Sequence, residues 1–401
     1  MSRPDLNAVV AALRQVLPES GRPVALHEPA FGGNEWSYVK QCLDEGMVSS
    51  IGTFVDRFER MLADYTGAAH AVAVVNGTAA LHVCLRLVGV QENDEVLLPA
   101  LTFVATANAV RYCNAAPHFV DSSERTLGVD PVRLEAYLRE AAETGPKGCV
   151  NRRTGRRIRA LVVMHTFGHP AEPDALADLC RRFGIELVED AAQSLGSRYR
   201  GRHTGTWGRV AALSFNGNKI VTTGGGGAIL TSDAALAARA KHLTTTAKVP
   251  HRWAYAHDEV GFNYRLPNVN AAIGCAQIEQ LPAFVERKRS LARHYQEVLC
   301  NVAGVRLFQE PPRAESNYWL NALILDDADM SRRDALLELT QDHRWLTRPV
   351  WTLLHRLPMY RDCPRMELPV AERLEASIVN LPSSASLRHA EARAVNRHRG
   401  V

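Results

Sequence analysis

Leu213-Ser214-Phe215-Asn216-Gly217-Asn218-Lys219, followed by Thr222-Thr223 and four consecutive glycines from Gly224 to Gly227, joins an apolar strand to a run where backbone can approach a ligand closely. A lysine in that setting is a candidate for an amine that attacks a carbonyl. Upstream, Ile185-Glu186-Leu187-Val188-Glu189-Asp190 reads as an apolar strand that delivers Asp190 at its carboxyl end, before Ala191-Ala192-Gln193-Ser194. In open α/β sheets ligands bind outside the carboxyl ends of the strands. Earlier still, Ala71-Val72-Ala73-Val74-Val75 reads as a buried strand, Asn76-Gly77-Thr78 as a turn, and Ala79 to Leu85 as a helix. Such a helix start offers free backbone N–H groups and the positive end of a dipole to an anion. Thr78 adds a hydroxyl donor, so a phosphate fits there.

A carbonyl for Lys219, a basic nitrogen for Asp190 and a phosphate for the Gly77-Thr78 turn are three requirements that pyridoxal 5'-phosphate meets together. Ser214 stands where it can add a hydrogen bond to the phosphate, and Phe103, in Leu98-Pro99-Ala100-Leu101-Thr102-Phe103, where it can stack on the ring. Each residue alone has a plainer reading. Asp190 suits a helix cap after a strand, Phe103 the core, and the glycine run a turn that fails the dinucleotide fingerprint at Ile229. Their joint occurrence in one order favours the cofactor.

Around these positions, strand-like runs at 71–75, 95–99, 116–120, 160–165 and 185–189 alternate with helical stretches at 78–88, 103–113, 131–142 and 172–183. That alternation predicts crossover units and a mostly parallel sheet. Strands at 209–215 and 227–231 flank the Lys219 loop. From about Ala271 the texture changes to a helix over Ile273 to Leu299, with a kink or break expected at Pro282, and short strands near Trp319 to Leu325. The expected organisation is an N-terminal helix and arm (1–30), a large cofactor-binding domain (31–270) and a smaller C-terminal α/β domain (271–401).

The chain has 401 residues, 46% of them hydrophobic, enough for large cores and more than one domain. A net charge of +4 is small for that length. The most basic stretch, Arg152-Arg153-Thr154-Gly155-Arg156-Arg157-Ile158-Arg159, lacks interleaved aromatics and reads as a solvated hairpin, which argues against nucleic acid. The eight cysteines are scattered, with no pair at zinc spacing, so reduced thiols and no metal site are expected. Leu6, Val9, Val10, Leu13, Val16 and Leu17 recur at helical spacing without the apolar core of a signal peptide, and no run is long enough to span a membrane. A cytoplasmic location follows as the expectation.

Taken in order, these motifs resemble the sugar-nucleotide aminotransferases of the DegT/DnrJ/StrS family, within the fold-type I pyridoxal-phosphate enzymes. The resemblance runs from Asn34-Glu35-Trp36 to Asn380-Leu381-Pro382-Ser383-Ser384. It implies that Gly77, Thr78, Ala79 and Ser214 hold the phosphate, Phe103 stacks on the pyridine, Asp190 pairs with its nitrogen and Gln193 sits beside the ring hydroxyl. Lys219 would be both the cofactor's attachment point and the proton shuttle. Asn263, in Gly261-Phe262-Asn263-Tyr264-Arg265, matches a position that reaches the neighbouring subunit's phosphate, so a homodimer with shared sites is implied.

Val48-Ser49-Ser50-Ile51-Gly52, Leu243-Thr244-Thr245-Thr246-Ala247-Lys248-Val249-Pro250-His251, His257-Asp258-Glu259-Val260, Thr347-Arg348-Pro349-Val350-Trp351 and Leu357 to Met366 resemble the legionaminic-acid-pathway branch. That likeness implies amination at C4 of a UDP-linked 2-acetamido-2,6-dideoxy-4-keto-hexose, with L-glutamate as donor, for surface polysaccharide or nonulosonic acid synthesis. Gly225 and Arg252 depart from the pattern, the first where relatives carry an acidic residue and the second where a smaller or rigid one is expected. His165, His251, His257, Arg348 and His355 are candidate substrate contacts, with a core role for His165 and solvated surface for the others as the plainer readings. A pyridoxal-dependent sugar dehydratase is the nearest alternative, against which the retained Lys219 argues. A nicotinamide-dependent oxidoreductase is the second, and the missing fingerprint argues against it.

Overall fold

The computed structural model describes residues 3–19, 21–146 and 148–387. A seven-stranded sheet runs in the order His70–Val74, Gly227–Thr231, Val210–Ser214, Glu186–Asp190, Ile158–Met164, Glu95–Pro99 and Ala116–Val120. Gly227–Thr231 is antiparallel to both its neighbours, and every other pairing is parallel. This is the mixed, mostly parallel α/β architecture expected from the alternation of apolar runs. Helices Gly77–Leu87, Val104–Tyr112, Pro131–Ala141 and Pro173–Phe183 form the crossovers.

Because both sheet faces are covered, strands read as near-continuous apolar runs instead of alternating ones. Successive residues still diverge to opposite faces. Val72, Val74, Leu98, Val162, Val188, Ala212 and Ile229 belong to one core, whereas Ala71, Ala73, Ala211, Leu213 and Leu230 belong to a second on the other side. Leu97, Leu161, Val163 and Leu187 continue that second face as a third cluster.

A four-stranded antiparallel sheet follows, in the order Val305–Leu307, Asn321–Leu325, Ile378–Leu381 and Arg348–Pro349. The N-terminal helix Leu6–Leu13 is capped by Asp5, whose side chain accepts the Asn7 N–H at 3.0 Å. Its Val9, Val10 and Leu13 share a core cluster with Leu323 and Val379 of this second sheet and with Trp345, which bridges to Val24.

The break expected at Pro282 is absent, and one helix runs unbroken from Asn268 to Leu299. Proline there removes one N–H donor from the helix, but Pro282 lies on the exposed side, where water can satisfy the freed carbonyl. The basic stretch is also better anchored than a solvated hairpin. Residues Ala142–Gly145 pair with Gly148–Asn151 just before it, and the buried Glu95 carboxylate accepts from Asn151 at 2.8 Å and from Thr154 at 2.6 Å. Among the described residues, no helix is long and apolar enough to cross a membrane.

Candidate active site

Three strands end together at one edge of the seven-stranded sheet. Gly227 pairs with Val74 on one side and Ser214 on the other. A β-carbon on Gly227 would lie 2.5 Å from the Asn76 carbonyl carbon, and one on Gly77 2.8 Å from the Ser214 β-carbon. Glycine at both positions therefore lets the turn before helix Gly77–Leu87 close onto the strand that carries Ser214. Asn76 caps this helix, its side-chain oxygen accepting the Ala79 N–H at 2.8 Å. The N–H groups of Gly77 and Thr78 have no acceptor among the described residues. Ala79, placed by its motif among the phosphate ligands, is thus corrected to a capped position, and the open cradle is Gly77, Thr78 and Ser214.

Asp190 ends the neighbouring strand, with Met164 and Ala212 opposite it. Its carboxylate is buried and accepts from the Thr106 hydroxyl at 2.8 Å and the Ala192 N–H at 3.2 Å. Burial raises its pKa from the ordinary value, while Thr106, the Ala192 N–H and the charge of Lys219 pull it back down. Among the described residues it makes no ion pair within salt-bridge distance, so this buried carboxylate has room for a cationic partner. A protonated pyridine nitrogen is such a partner.

Lys219 is half-buried in the loop after Ser214, and its amine lies 4.1 Å from the centre of the Trp319 ring. Burial pushes its pKa down to about 8, with the Asp190 carboxylate acting in the opposite sense. That value suits a group that must both attack as a free amine and carry a proton near neutral pH. Phe103 begins the adjoining helix Val104–Tyr112 and is 48% exposed, its ring 6.3 Å from that of Trp351. Gln193 is buried, and its side-chain oxygen accepts the Phe167 N–H at 2.7 Å, which turns its amide nitrogen away from Phe167. These groups, with an anion cradle, a buried carboxylate and a half-buried amine at one sheet edge, fit pyridoxal 5'-phosphate.

The remaining candidates separate from this set. His165 is fully buried; its Nδ1 accepts the Ala171 N–H at 3.1 Å, so its Nε2 carries the proton and donates to Glu189 at 2.9 Å. Both nitrogens are engaged, which corrects its placement among substrate contacts: it is a core histidine. Burial pushes the Glu189 carboxyl up, yet the His165 bond and the Gly208 and Gly205 N–H groups bring it below its ordinary value.

His251 and His257 lie on the exposed loop that follows helix Ala234–Thr244. His251 accepts the Ala254 N–H at 2.9 Å, and His257 Nδ1 donates to the Thr246 carbonyl at 2.8 Å. Asn263 is exposed beside this loop, bridged through its backbone to Thr245. Arg348 is exposed on an edge strand of the second sheet. His355 lines a groove of about 1760 Å³ together with Arg133, Arg153 and Arg365. Among the described residues, no hydrogen bond or ring contact joins these five to Lys219, Asp190 or Ser214. The motifs missed Asn76, Thr106 and Trp319, and of these only Asn76 had a local signal, as a cap residue directly before a helix.

The DegT/DnrJ/EryC1/StrS aminotransferase family matches the chain over residues 29–398. The chain belongs to this family. The GDP-perosamine synthase of Escherichia coli O157:H7 is 34% identical over 364 residues, covering 91% of this chain and 94% of its own length. The aminotransferase TlmJ from Streptoalloteichus hindustanus superposes with a TM-score of 0.83 at 31% identity, over 93% of this chain and 96% of its own. DesI, solved in the presence of its TDP-sugar product, gives a TM-score of 0.82 at 27% identity, over 97% and 100%. The protein is accordingly a pyridoxal-phosphate-dependent aminotransferase, and the oxidoreductase alternative falls.

Proposed function

We propose that this aminotransferase moves an amino group from L-glutamate to the C4 ketone of a nucleotide-linked 4-keto-6-deoxy sugar, with UDP-2-acetamido-2,6-dideoxy-4-keto-hexose as its substrate. The observation that carries the reading is the convergence of Lys219, Asp190 and the open Gly77-Thr78-Ser214 cradle at one sheet edge. The likeness of segments 48–52, 243–251 and 347–351 to the legionaminic-acid branch supports the choice of sugar. A location in the cytoplasm and a division into units 1–30, 31–270 and 271–401 belong to the same proposal.

Bound pyridoxal phosphate supplies a carbonyl that bonds amines and a ring that withdraws electrons from the carbon being deprotonated. In our reading Gly77, Thr78 and Ser214 hold its phosphate, Phe103 covers its ring, and Gln193 donates its amide N–H to the ring hydroxyl. Asp190 keeps the ring nitrogen protonated through its negative charge. Lys219 Nζ takes the α-proton of the donor amino acid and, in the second half of the cycle, delivers a proton to C4 of the sugar.

A panel of UDP- and GDP-linked 4-keto sugars incubated with L-glutamate, with products weighed by mass spectrometry, tests the assignment. A 4-amino sugar is expected from the UDP-linked acetamido substrate, and the failure of every 4-keto sugar in the panel would refute it. Gly77→Ala tests the cradle. Its β-carbon, 2.8 Å from that of Ser214, should push the turn outward and weaken cofactor binding by roughly tenfold, with an overpacking cost of about 1–3 kcal/mol. Titration of the cofactor-free variant reads the affinity, and parental affinity would remove Gly77 from the site.

The active unit in this proposal is a homodimer whose sites are completed by Asn263 of the second chain. Trp36 (79% exposed), Tyr255 and Val260 (both 85%) are large apolar side chains left exposed, of the kind a partner covers. Mixing Lys219→Ala chains with Asn263→Ala chains should give heterodimers with one doubly damaged and one intact site. Activity should then exceed that of either variant alone. If heterodimers form, Asn263→Ala is itself impaired and activity does not rise, the shared site is wrong.

A further inference from the structure

Ser316-Asn317-Tyr318-Trp319 leads from the short strand Ala314–Glu315 into strand Asn321–Leu325 of the second sheet, yet it is buried against the candidate site. Asn317, fully buried, donates its amide to the carbonyls of Gln193 at 3.0 Å and Leu195 at 2.9 Å. Its side-chain oxygen accepts the Trp319 N–H at 2.8 Å. The Trp319 indole N–H in turn donates to the carbonyl of Asn218, the residue before Lys219, at 2.7 Å. Lys288, also fully buried, donates to the Trp319 carbonyl at 3.1 Å and to the Ser383 carbonyl. One indole is thereby fixed at its backbone N–H, its carbonyl and its ring nitrogen. The amine of Lys219 lies over its face, 4.1 Å from the ring centre.

Filling core volume does not require this arrangement, since a leucine or phenylalanine also fills space. The three anchors do something more specific: they lock the plane of the ring relative to the backbone that carries Lys219. A protonated amine is attracted to an indole face, most strongly where water is excluded. A lysine side chain released from a covalent partner would otherwise explore many rotamers and lose contact with the reacting carbon.

We propose that the face of Trp319 is the resting seat of the Lys219 amine whenever that amine is not bonded to the cofactor, with Asn317 and Lys288 as positioning residues that hold the seat. The inference rests on the aminotransferase cycle proposed above, in which Lys219 is freed and recaptured at every turnover. The seat holds the freed amine within reach of the sheet edge and supports its protonated form against the cost of burial. The charged and titratable groups around it are Asp190 from the sheet, His27 from the N-terminal arm and Lys288 from the long helix. Asp190 favours the protonated amine, while burial holds the pKa of Lys288 itself well below the ordinary value. His27 lies on the Trp319 ring at 6.5 Å, and burial together with Lys288 and Lys219 holds its pKa well below the ordinary value, so it brings no competing charge.

The test uses the full chain freed of cofactor, in two measurements. Indole emission is followed across the pH range of the Lys219 titration in wild type, Trp319→Phe and Lys219→Ala. A titrating component should be present in wild type and missing from both variants, and its persistence in Lys219→Ala would overturn the seat. Covalent capture of added pyridoxal 5'-phosphate is then timed by absorbance. Trp319→Leu should slow capture roughly tenfold while Trp319→Phe, which keeps an aromatic face, stays within about threefold. Lys288→Met should slow capture in the same direction. Equal rates for Trp319→Leu and wild type would overturn the proposal. Failure of wild type itself to capture the cofactor would instead refute the role of Lys219, whereas the emission titration still decides whether the seat exists.

Discussion

Lys219→Ala is expected to stop turnover, with a loss of at least about a thousandfold, because the same amine attaches the cofactor and moves the proton. General acid–base catalysis by one positioned group contributes roughly 10²–10⁴-fold, and covalent attachment is lost in addition. The cradle of Gly77, Thr78 and Ser214 does not depend on Lys219, so the variant should still hold pyridoxal phosphate noncovalently. Its absorbance should then lack the band that borohydride abolishes in wild type. Single-turnover assays with L-glutamate and with the keto sugar, run separately, should both be defective. Wild-type rates in either would sink the assignment of Lys219.

Asp190→Asn should lower turnover on the order of a hundredfold, equivalent to about 2.7 kcal/mol of lost transition-state stabilisation. The substitution keeps the shape and the contact with the Thr106 hydroxyl, which can accept as well as donate, but removes the charge. Folding stability should move the other way or not at all. Burial already disfavours the charged carboxylate in the cofactor-free protein, so replacing it with a neutral amide relieves a cost instead of adding one. The expected signature is therefore a melting temperature at or above the parent's together with a crippled rate. A parental rate would reduce Asp190 to a strand-end cap, and a large fall in melting temperature would make its role structural.

The placement of Lys219, Asp190 and the Gly77 turn at one end of the sheet could be read from sequence because each lies at or just beyond the carboxyl end of an apolar strand. Trp319 and Thr106 could not, because their contacts join segments far apart in the chain. Nothing near Trp319 signals that its ring meets Lys219, and nothing near Thr106 that its hydroxyl meets Asp190. His165 shows the converse difficulty. A histidine at a strand end looks available until the Ala171 N–H and the buried Glu189 are seen to occupy both nitrogens. Ala79 failed for a local reason, since Asn76 claims its N–H as a helix cap. At Pro282 the expected break did not occur, because the exposed position leaves the freed carbonyl to water and the tertiary packing of the helix carries it through.

Strand Gly227–Thr231 lies between the first strand of the sheet, His70–Val74, and Val210–Ser214, and runs against both. During synthesis the first strand must therefore wait without its hydrogen-bonded neighbour until the chain through Thr231 has emerged. Asn76-Gly77 also packs against Gly227, so the turn of the anion cradle reaches its final neighbours only when that strand is in place. Pairings of such long sequence separation are slow, and the waiting apolar edge of His70–Val74 is open to mispairing. A nascent chain halted before Gly227 would carry Asp190, Lys219 and the cradle residues yet lack the strand against which the Asn76-Gly77 turn closes, which ties the finished cradle to the completed sheet.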